Sequence, residues 1–201
     1  MTEHYFSAQP TTSDERHTRE VTLAGKTVAV HVATGVFSHG GLDKGTRMLL
    51  GAVPAPPPAG TFLDLGCGWG PIAISLALQA PNASVWAVDV NERALDLTAA
   101  NAAALNLPQI HVARPEDAPN GLTYDLIWSN PPIRIGKAAL HELLNTWLPR
   151  LAPGGSAWLV VAKNLGADSL QHWLTEAFPN FDVTRPTTSG GFRILRVDRP
   201  R

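Results

Sequence analysis

Two loops carry the residues whose types and spacing could do chemistry. The first is Leu63-Asp-Leu-Gly-Cys-Gly-Trp-Gly70, where a short apolar run (residues 61–65) holds an acid and then breaks into alternating glycines at 66, 68 and 70. A chain that turns sharply from strand into helix uses backbone angles a side chain would forbid, and a missing Cβ lets a ligand approach the main chain. Pro71 suits the first helical position, where its absent N–H costs nothing. These features read as a nucleotide-type ligand site at the carboxyl end of the first core strand of an α/β sheet. The second loop is Asn130-Pro131-Pro132-Ile133, directly after the buried-strand pattern Tyr124-Asp-Leu-Ile-Trp-Ser129. Two prolines stiffen it, so the Asn130 side chain and the carbonyl next to it are held in one arrangement.

The glycine spacing argues against a dinucleotide. A G-x-G-x-x-G run would set a pyrophosphate on the helix N-terminus, but here the spacing is G-x-G-x-G with an acid two residues ahead, and no phosphate-loop motif occurs. The pattern is similar to motif I of class I S-adenosylmethionine-dependent methyltransferases, whose ligand carries an ammonium group and no phosphate. That resemblance implies cofactor contacts from Asp64, Gly66, Cys67 and Gly68, and from Asn130 in the second loop. A second strand-like run, residues 84–89, ends in Asp89 about twenty residues further on, where an acid accepts hydrogen bonds from ribose hydroxyls. Val90 follows it in the same implied contact set, and Asn91 is placed to cap the next helix. After a third short strand, the loop holding Glu116 and Asp117 is where the resemblance puts an acid against adenine. Asp117 is the residue carried forward, with Glu116 open.

Asn130-Pro131-Pro132 is similar to motif IV of methyltransferases that modify an amine conjugated to a ring or carbonyl. The lone pair of such an amine is delocalised, which makes it a poor nucleophile. Two fixed acceptors, the Asn130 side-chain oxygen and the Pro131 carbonyl, would hold both N–H groups and aim the lone pair at a sulfonium methyl. Positioning of that kind is worth about 7–11 kcal/mol, with dispersal of developing positive charge adding to it. No strong general base is needed, because the methylated amine is acidic enough to lose its proton to water.

Further segments narrow the resemblance. Gly35-Val-Phe-Ser-His39, Gly41-Leu-Asp-Lys-Gly-Thr-Arg47, Asn130-Pro-Pro-Ile-Arg-Ile-Gly-Lys137, Lys163-Asn-Leu-Gly-Ala-Asp-Ser169 and Gly191-Phe-Arg-Ile-Leu-Arg196 resemble the RsmC-type branch of small-domain methyltransferases. Members of that branch methylate N2 of a guanine in small-subunit (16S) ribosomal RNA. The resemblance thus implies S-adenosyl-L-methionine as cofactor, S-adenosyl-L-homocysteine as product, and ribosomal RNA or the small ribosomal subunit as partner. It also implies substrate contacts at Phe37, Ile133, Arg134, Lys137 and Phe192. Two departures stand out. Well-known members carry two tandem domains whereas this chain has length for one, and the residue after the prolines, often aromatic, is Ile133. Phe37, Trp69 or Phe192 could supply the ring face instead. Other conjugated amines (protein glutamine, adenine N6, a small metabolite) are the alternative acceptors, and a non-catalytic RNA-binding or assembly module is the alternative class.

Composition fits these expectations. The chain has 201 residues, enough for one domain with a sizeable core. No apolar run nears 18 residues and no export signal opens the sequence, so a cytoplasmic protein away from membranes is expected. The single cysteine, Cys67, has no internal disulfide partner and reads as a small residue lining the pocket. The 7 histidines lack metal-ligand spacing, so no metal site is expected. Net charge is −1, but Arg134 and Lys137 flank the Asn-Pro-Pro loop, Lys163 follows the fifth core strand, and Arg185, Arg193, Arg196, Arg199 and Arg201 crowd the end of the chain.

The elements that must position these loops follow from periodicity. Residues 1–20 are polar and expected to be loosely ordered, with Tyr5 and Phe6 able to fold over the site. Residues 21–32 read as a hairpin around Ala24-Gly25-Lys26 packed on the sheet edge, and residues 43–53 as a helix. Leu95, Ala99 and Ala102 mark the face of a helix opened by Asn91; Leu140, Leu143, Leu144 and Trp147 mark another, and Leu170, Trp173, Leu174 and Ala177 a third. Pro153-Gly154-Gly155 is expected to turn into a buried strand over residues 157–161. Alternating strands and helices give an α/β fold. With the resemblance, it is read as a single Rossmann-like class I methyltransferase domain with a mostly parallel seven-stranded sheet, helices on both faces, and an N-terminal hairpin extension. The closing antiparallel strand is implied by the resemblance. Residues 1–54 are taken as the extension and 55–201 as the core.

Overall fold

The structure, a computed structural model, describes residues 15–38 and 40–201; Tyr5, Phe6 and His39 lie outside the described residues. A hairpin, β1 (Arg16–Leu23) and β2 (Lys26–Ala33), comes first, followed by helix α1 (Lys44–Ala52). Strands β3 (Ala59–Leu65), β4 (Asn82–Val88) and β5 (Ile110–Ala113) then alternate with helices α2 (Pro71–Gln79) and α3 (Glu92–Ala104). Strand β6 (Tyr124–Ser129), α4 (Lys137–Trp147), β7 (Leu151–Ala162) and α5 (Ala167–Ala177) lead to the closing pair β8 (Asp182–Ser189) and β9 (Phe192–Asp198).

The seven core strands form one sheet in the order β5-β4-β3-β6-β7-β9-β8, parallel except for β9, which runs antiparallel to both neighbours. Side chains alternate across it. Phe62, Leu126, Trp128 and Val160 face a layer built from the hairpin, α1, α2 and α3. Leu63, Leu65, Ile127 and Leu159 face α4 and α5. The order reverses direction between β3 and β6, which pair through Phe62–Leu126, Leu63–Ile127 and Asp64–Trp128. In an open α/β sheet the ligand crevice lies outside the carboxyl ends of the strands at such a switch point. Both chemistry-bearing loops leave from those two strand ends.

Four local expectations are corrected. Arg16 to Glu20 are strand rather than loose chain, paired residue for residue with Ala33 back to Ala29. They are exposed, so no apolar alternation marked them. The hairpin packs on α2 and α3 instead of the sheet edge, because its apolar side (Leu23, Val30, Val32) is covered by the helical layer and Asn101 brackets His31. Asn101 Oδ1 accepts from the His31 backbone N–H at 2.7 Å, and Asn101 Nδ2 donates to the His31 carbonyl at 2.9 Å. Pro153-Gly154-Gly155 lies inside β7, whose register on β6 shifts between Tyr124 and Leu126; Gly154 N–H donates to the Arg199 carbonyl at 2.9 Å. Ala99 is exposed, because α3 turns inward through Ala94, Leu95, Thr98, Asn101 and Ala102. Pro186 is accommodated at a register shift of the edge strand β8, where a missing donor is tolerated.

No described helix is long and apolar enough to cross a membrane, and no described cluster of three or more His, Cys, Asp or Glu could hold a metal ion.

Candidate functional site

The glycine loop is clamped from three directions. Gly66 and Cys67 donate their N–H groups to the Val88 carbonyl at 2.8 and 3.1 Å, which ties the end of β3 to the end of β4. Asp89 follows Val88, and its carboxylate accepts from Gly68 N at 2.9 Å and from Asn91 N at 3.0 Å. From α3, the Thr98 hydroxyl donates to the Gly68 carbonyl at 3.0 Å and Asn101 Nδ2 donates to the Trp69 carbonyl at 3.0 Å. Gly70, at φ +92°, is the left-handed residue that launches α2, with Pro71 behind it. A Cβ on Gly70 would meet Thr98 at 3.0 Å. The loop's shape is thus held by bonds within the protein itself.

Asp64 sits beneath this loop, fully buried. Its Oδ2 accepts from Ala73 N in the first turn of α2 at 2.9 Å, while Oδ1 has no partner among the described residues. Burial pushes its carboxyl up to about 8, with the charge of Asp89 adding to the rise and the Ala73 bond opposing it. Asp89 is raised too, again by burial and against the bonds from Asn91 and Gly68. The Cys67 thiol is driven well up by burial and by both acids. It faces Thr98, whose hydroxyl lies 3.5 Å from the sulfur.

The second loop is fixed by its own geometry. Ser129 Oγ donates to the Leu65 carbonyl at 2.6 Å, locking the ends of β6 and β3 together. Pro132 has φ −74° and ψ 71°, an inverse γ-turn. In that turn the Pro131 carbonyl accepts from Ile133 N at 2.8 Å, so one of its two lone-pair directions is already taken. A short 3₁₀ turn, Ile133–Ile135, and Gly136 then open α4. The Asn130 side-chain Nδ2 donates to Asp43 Oδ2 at 3.0 Å and to Thr46 Oγ1 at 3.1 Å. Both acceptors stand at the start of α1.

The chain between β2 and α1 forms the third wall. Asn91, buried and capping α3 through Arg93 N and Ala94 N, donates Nδ2 to the Gly35 carbonyl at 3.0 Å. Arg93 holds the Thr34 carbonyl at 2.7 Å. These bonds carry Val36 and Phe37 to the glycine loop, where a Cβ on Gly68 would stand 3.8 Å from the Phe37 carbonyl.

The three walls enclose a cavity of about 420 Å³, within the usual range for small-molecule sites. Of the residues expected from sequence, Gly66, Gly68, Asp89 and Val90 line one part and Asn130, Pro131, Pro132, Ile133 and Arg134 another, with Phe37 and Phe192 also on the wall. Four lie outside it. Asp64 points into the α2 layer because the strand pleat sends it there with Phe62; Cys67 packs on Thr98; Asp117 is exposed in its turn, where Pro115 is the loop's lining residue; Lys137 is exposed on α4. Trp69, a candidate ring face, is core with its indole N–H unpartnered among the described residues. Sequence reasoning missed Asp43, Asn91 and Asn164 as lining residues. In the sequence Asn91 reads only as a helix cap, and Asp43 only as the start of a helix within a family-like segment.

Comparison with known proteins gives this geometry a family. A family model described as methyltransferase small domain matches residues 27–196. An uncharacterised Bacillus subtilis protein, YbxB, is 32% identical across 99% of this chain and 100% of its own length. The ribosomal RNA small subunit methyltransferase C of Enterobacter sp. (strain 638) is 31% identical over 94% of this chain but 54% of its own, so the chain spans about half the length of that relative. Among solved structures, the T. thermophilus 16S rRNA N2 methyltransferase RsmC, in complex with AdoMet and guanosine, superposes with a TM-score of 0.77. It is 23% identical and covers 94% of this chain and 52% of that one, a likeness that shows the fold.

Proposed function

The chain belongs to the methyltransferase small domain family, and from that premise we propose that it methylates the exocyclic N2 amine of a guanine in small-subunit ribosomal RNA. The observation that carries the reading is convergence. One cavity holds a glycine loop clamped by the protein's own bonds, a carboxylate at the end of β4, and an asparagine whose amide nitrogen is engaged elsewhere.

The cavity suits S-adenosylmethionine. Gly66 and Gly68 leave backbone bare along the wall, and Asp89 keeps lone pairs for ribose hydroxyls beside the bonds it accepts from backbone N–H groups. Val90, 39% exposed, offers apolar surface to an adenine ring. When bound, the cofactor supplies an electrophilic methyl group on a sulfonium. Asp64 acts at one remove, anchoring the loop through the N-terminus of α2.

Asn130 presents Oδ1 to the acceptor amine and takes one of its N–H groups. The Pro131 carbonyl, with its remaining lone pair, takes the other. The amine lone pair is then left directed across the cavity, and the proton shed after transfer passes to water. Phe37, 42% exposed, and Phe192 flank the acceptor base, Ile133 packs on it, and Arg134 with Lys137 contacts flanking phosphates. The base must leave its stack to enter. A cytoplasmic enzyme acting on ribosomal RNA or the small subunit fits this chemistry and the relatives' names.

The test is transfer of labelled methyl to small subunits lacking the modification and, separately, to naked ribosomal RNA. Label recovered as N2-methylguanosine after digestion supports the proposal. Label recovered only on adenine, protein glutamine or a metabolite overturns the target and keeps the chemistry.

A further inference from the structure

We propose that Asp43, with Thr46, is a positioning residue that decides which end of the Asn130 amide faces the cavity. The inference rests on the amine-methyltransferase reading above. An asparagine amide presents an acceptor at one end and a double donor at the other, and only the acceptor end can hold an N–H of the target. Left to itself, the group can rotate half a turn at little steric cost. It is not left to itself: Asp43 Oδ2 lies 3.0 Å from one end of the amide. An ionised carboxylate can only accept, so the end that meets it is the NH2. The second N–H goes to Thr46 Oγ1 at 3.1 Å. With both donors consumed on the α1 side, Oδ1 is the end left for the acceptor amine, and no described residue donates to it. The reversed amide would set two acceptors against each other and turn a donor toward a donor.

Two features show that the arrangement is built. Asp43 caps α1, and the same Oδ2 that meets Asn130 also accepts from Gly45 N at 2.7 Å and Thr46 N at 3.3 Å. The carboxylate therefore cannot swing away without uncapping the helix. Gly45 has no side chain where one would intrude: a Cβ there would stand 2.9 Å from Asp43 Oδ2 and 3.2 Å from Asn130 Nδ2. The segment Asp43-Lys-Gly-Thr46 thus supplies a helix cap, a close approach and two acceptors to one side chain 87 positions away. The structure makes the segment before the core sheet part of the acceptor site.

A plain capping role makes a different prediction, which sets the test. Asp43→Ser keeps a capping oxygen but withdraws the carboxylate from Asn130, and Thr46→Val removes the second acceptor at constant shape. Expected results are a turnover loss of about 10- to 100-fold for each, as for other lost orienting partners, with S-adenosylmethionine affinity unchanged. In an Asn130→Ala background neither substitution lowers turnover further, because nothing remains to be oriented. The second readout needs no activity. The side-chain amide signals of Asn130 in a nitrogen-15 spectrum, identified by their loss in Asn130→Ala, shift in both variants. Unmoved amide signals in both variants, or the same fold-loss of turnover with and without Asn130, would overturn the proposal. If the wild-type protein methylates no amine, the functional reading fails on its own, and the amide signals still decide whether Asp43 orients Asn130.

Discussion

Asp89 and Gly68 are joined by a 2.9 Å hydrogen bond from the glycine N–H to the carboxylate, so the acid expected to hold the ribose also shapes the loop beside it. Removing that carboxylate affects both functions at once. Asp89→Ala should weaken S-adenosylmethionine binding by about 10- to 100-fold, the scale of one or two lost charge-assisted hydrogen bonds. Calorimetric titration of the variant checks it, and affinity within twofold of wild type would remove Asp89 from the cofactor site.

Gly70→Ala should cost about 1–3 kcal/mol of stability, since the residue sits at φ +92° and its Cβ would press on Thr98 at 3.0 Å. Denaturant unfolding measures this. Gly45→Ala behaves differently, because its Cβ meets Asp43 and Asn130 rather than the core. Turnover should fall more than stability does.

Asp64 gives the protein a pH signature. Its carboxyl is raised to about 8 in the fold, chiefly by burial, against an ordinary value of 3.8. The folded state therefore holds a proton that the unfolded chain gives up, and stability falls as pH rises from about 4 through about 8. Thermal midpoints should decline over that window. Asp64→Asn, which keeps an acceptor for Ala73 N, should flatten the decline; an equal slope in variant and wild type would show that Asp64 is ionised in the fold.

Arg134 lines the cavity, and the exposed Lys137 follows it at the start of α4. Replacing either with Ala should weaken RNA binding at low salt and reduce the salt slope of log Kd by about 0.7 per lost phosphate contact on a single strand. Turnover at saturating RNA should change far less. A slope unchanged in both variants would move the RNA path elsewhere.

Much of this was legible in the sequence because the signals were local. Tyr124 through Ser129 is a strand with the expected ends, Pro71 opens α2, and Asn91 caps α3 through two backbone N–H groups. What escaped depended on layers meeting. Asp64 belongs to the same motif as Gly66, yet the pleat turns its side chain under the loop. Asp43 reads as the start of a helix until α1 docks on the sheet and brings it to Asn130. The hairpin's helical seat depends on Asn101, a polar residue outside the apolar face named for that helix. Polar residues that bond across layers carry no periodic signal, and here they build the site.

One cavity is proposed to hold the cofactor, with Asn130 needed for methyl transfer to the acceptor rather than for cofactor affinity. Cofactor affinity and single-turnover methyl transfer to unmodified small subunits, measured on the same preparations of wild type and Asn130→Ala, test it most directly. S-adenosylmethionine affinity should be equal in the two proteins, and transfer should fall by at least about 100-fold in the variant. Undiminished transfer by Asn130→Ala, with its cofactor affinity intact, would contradict it.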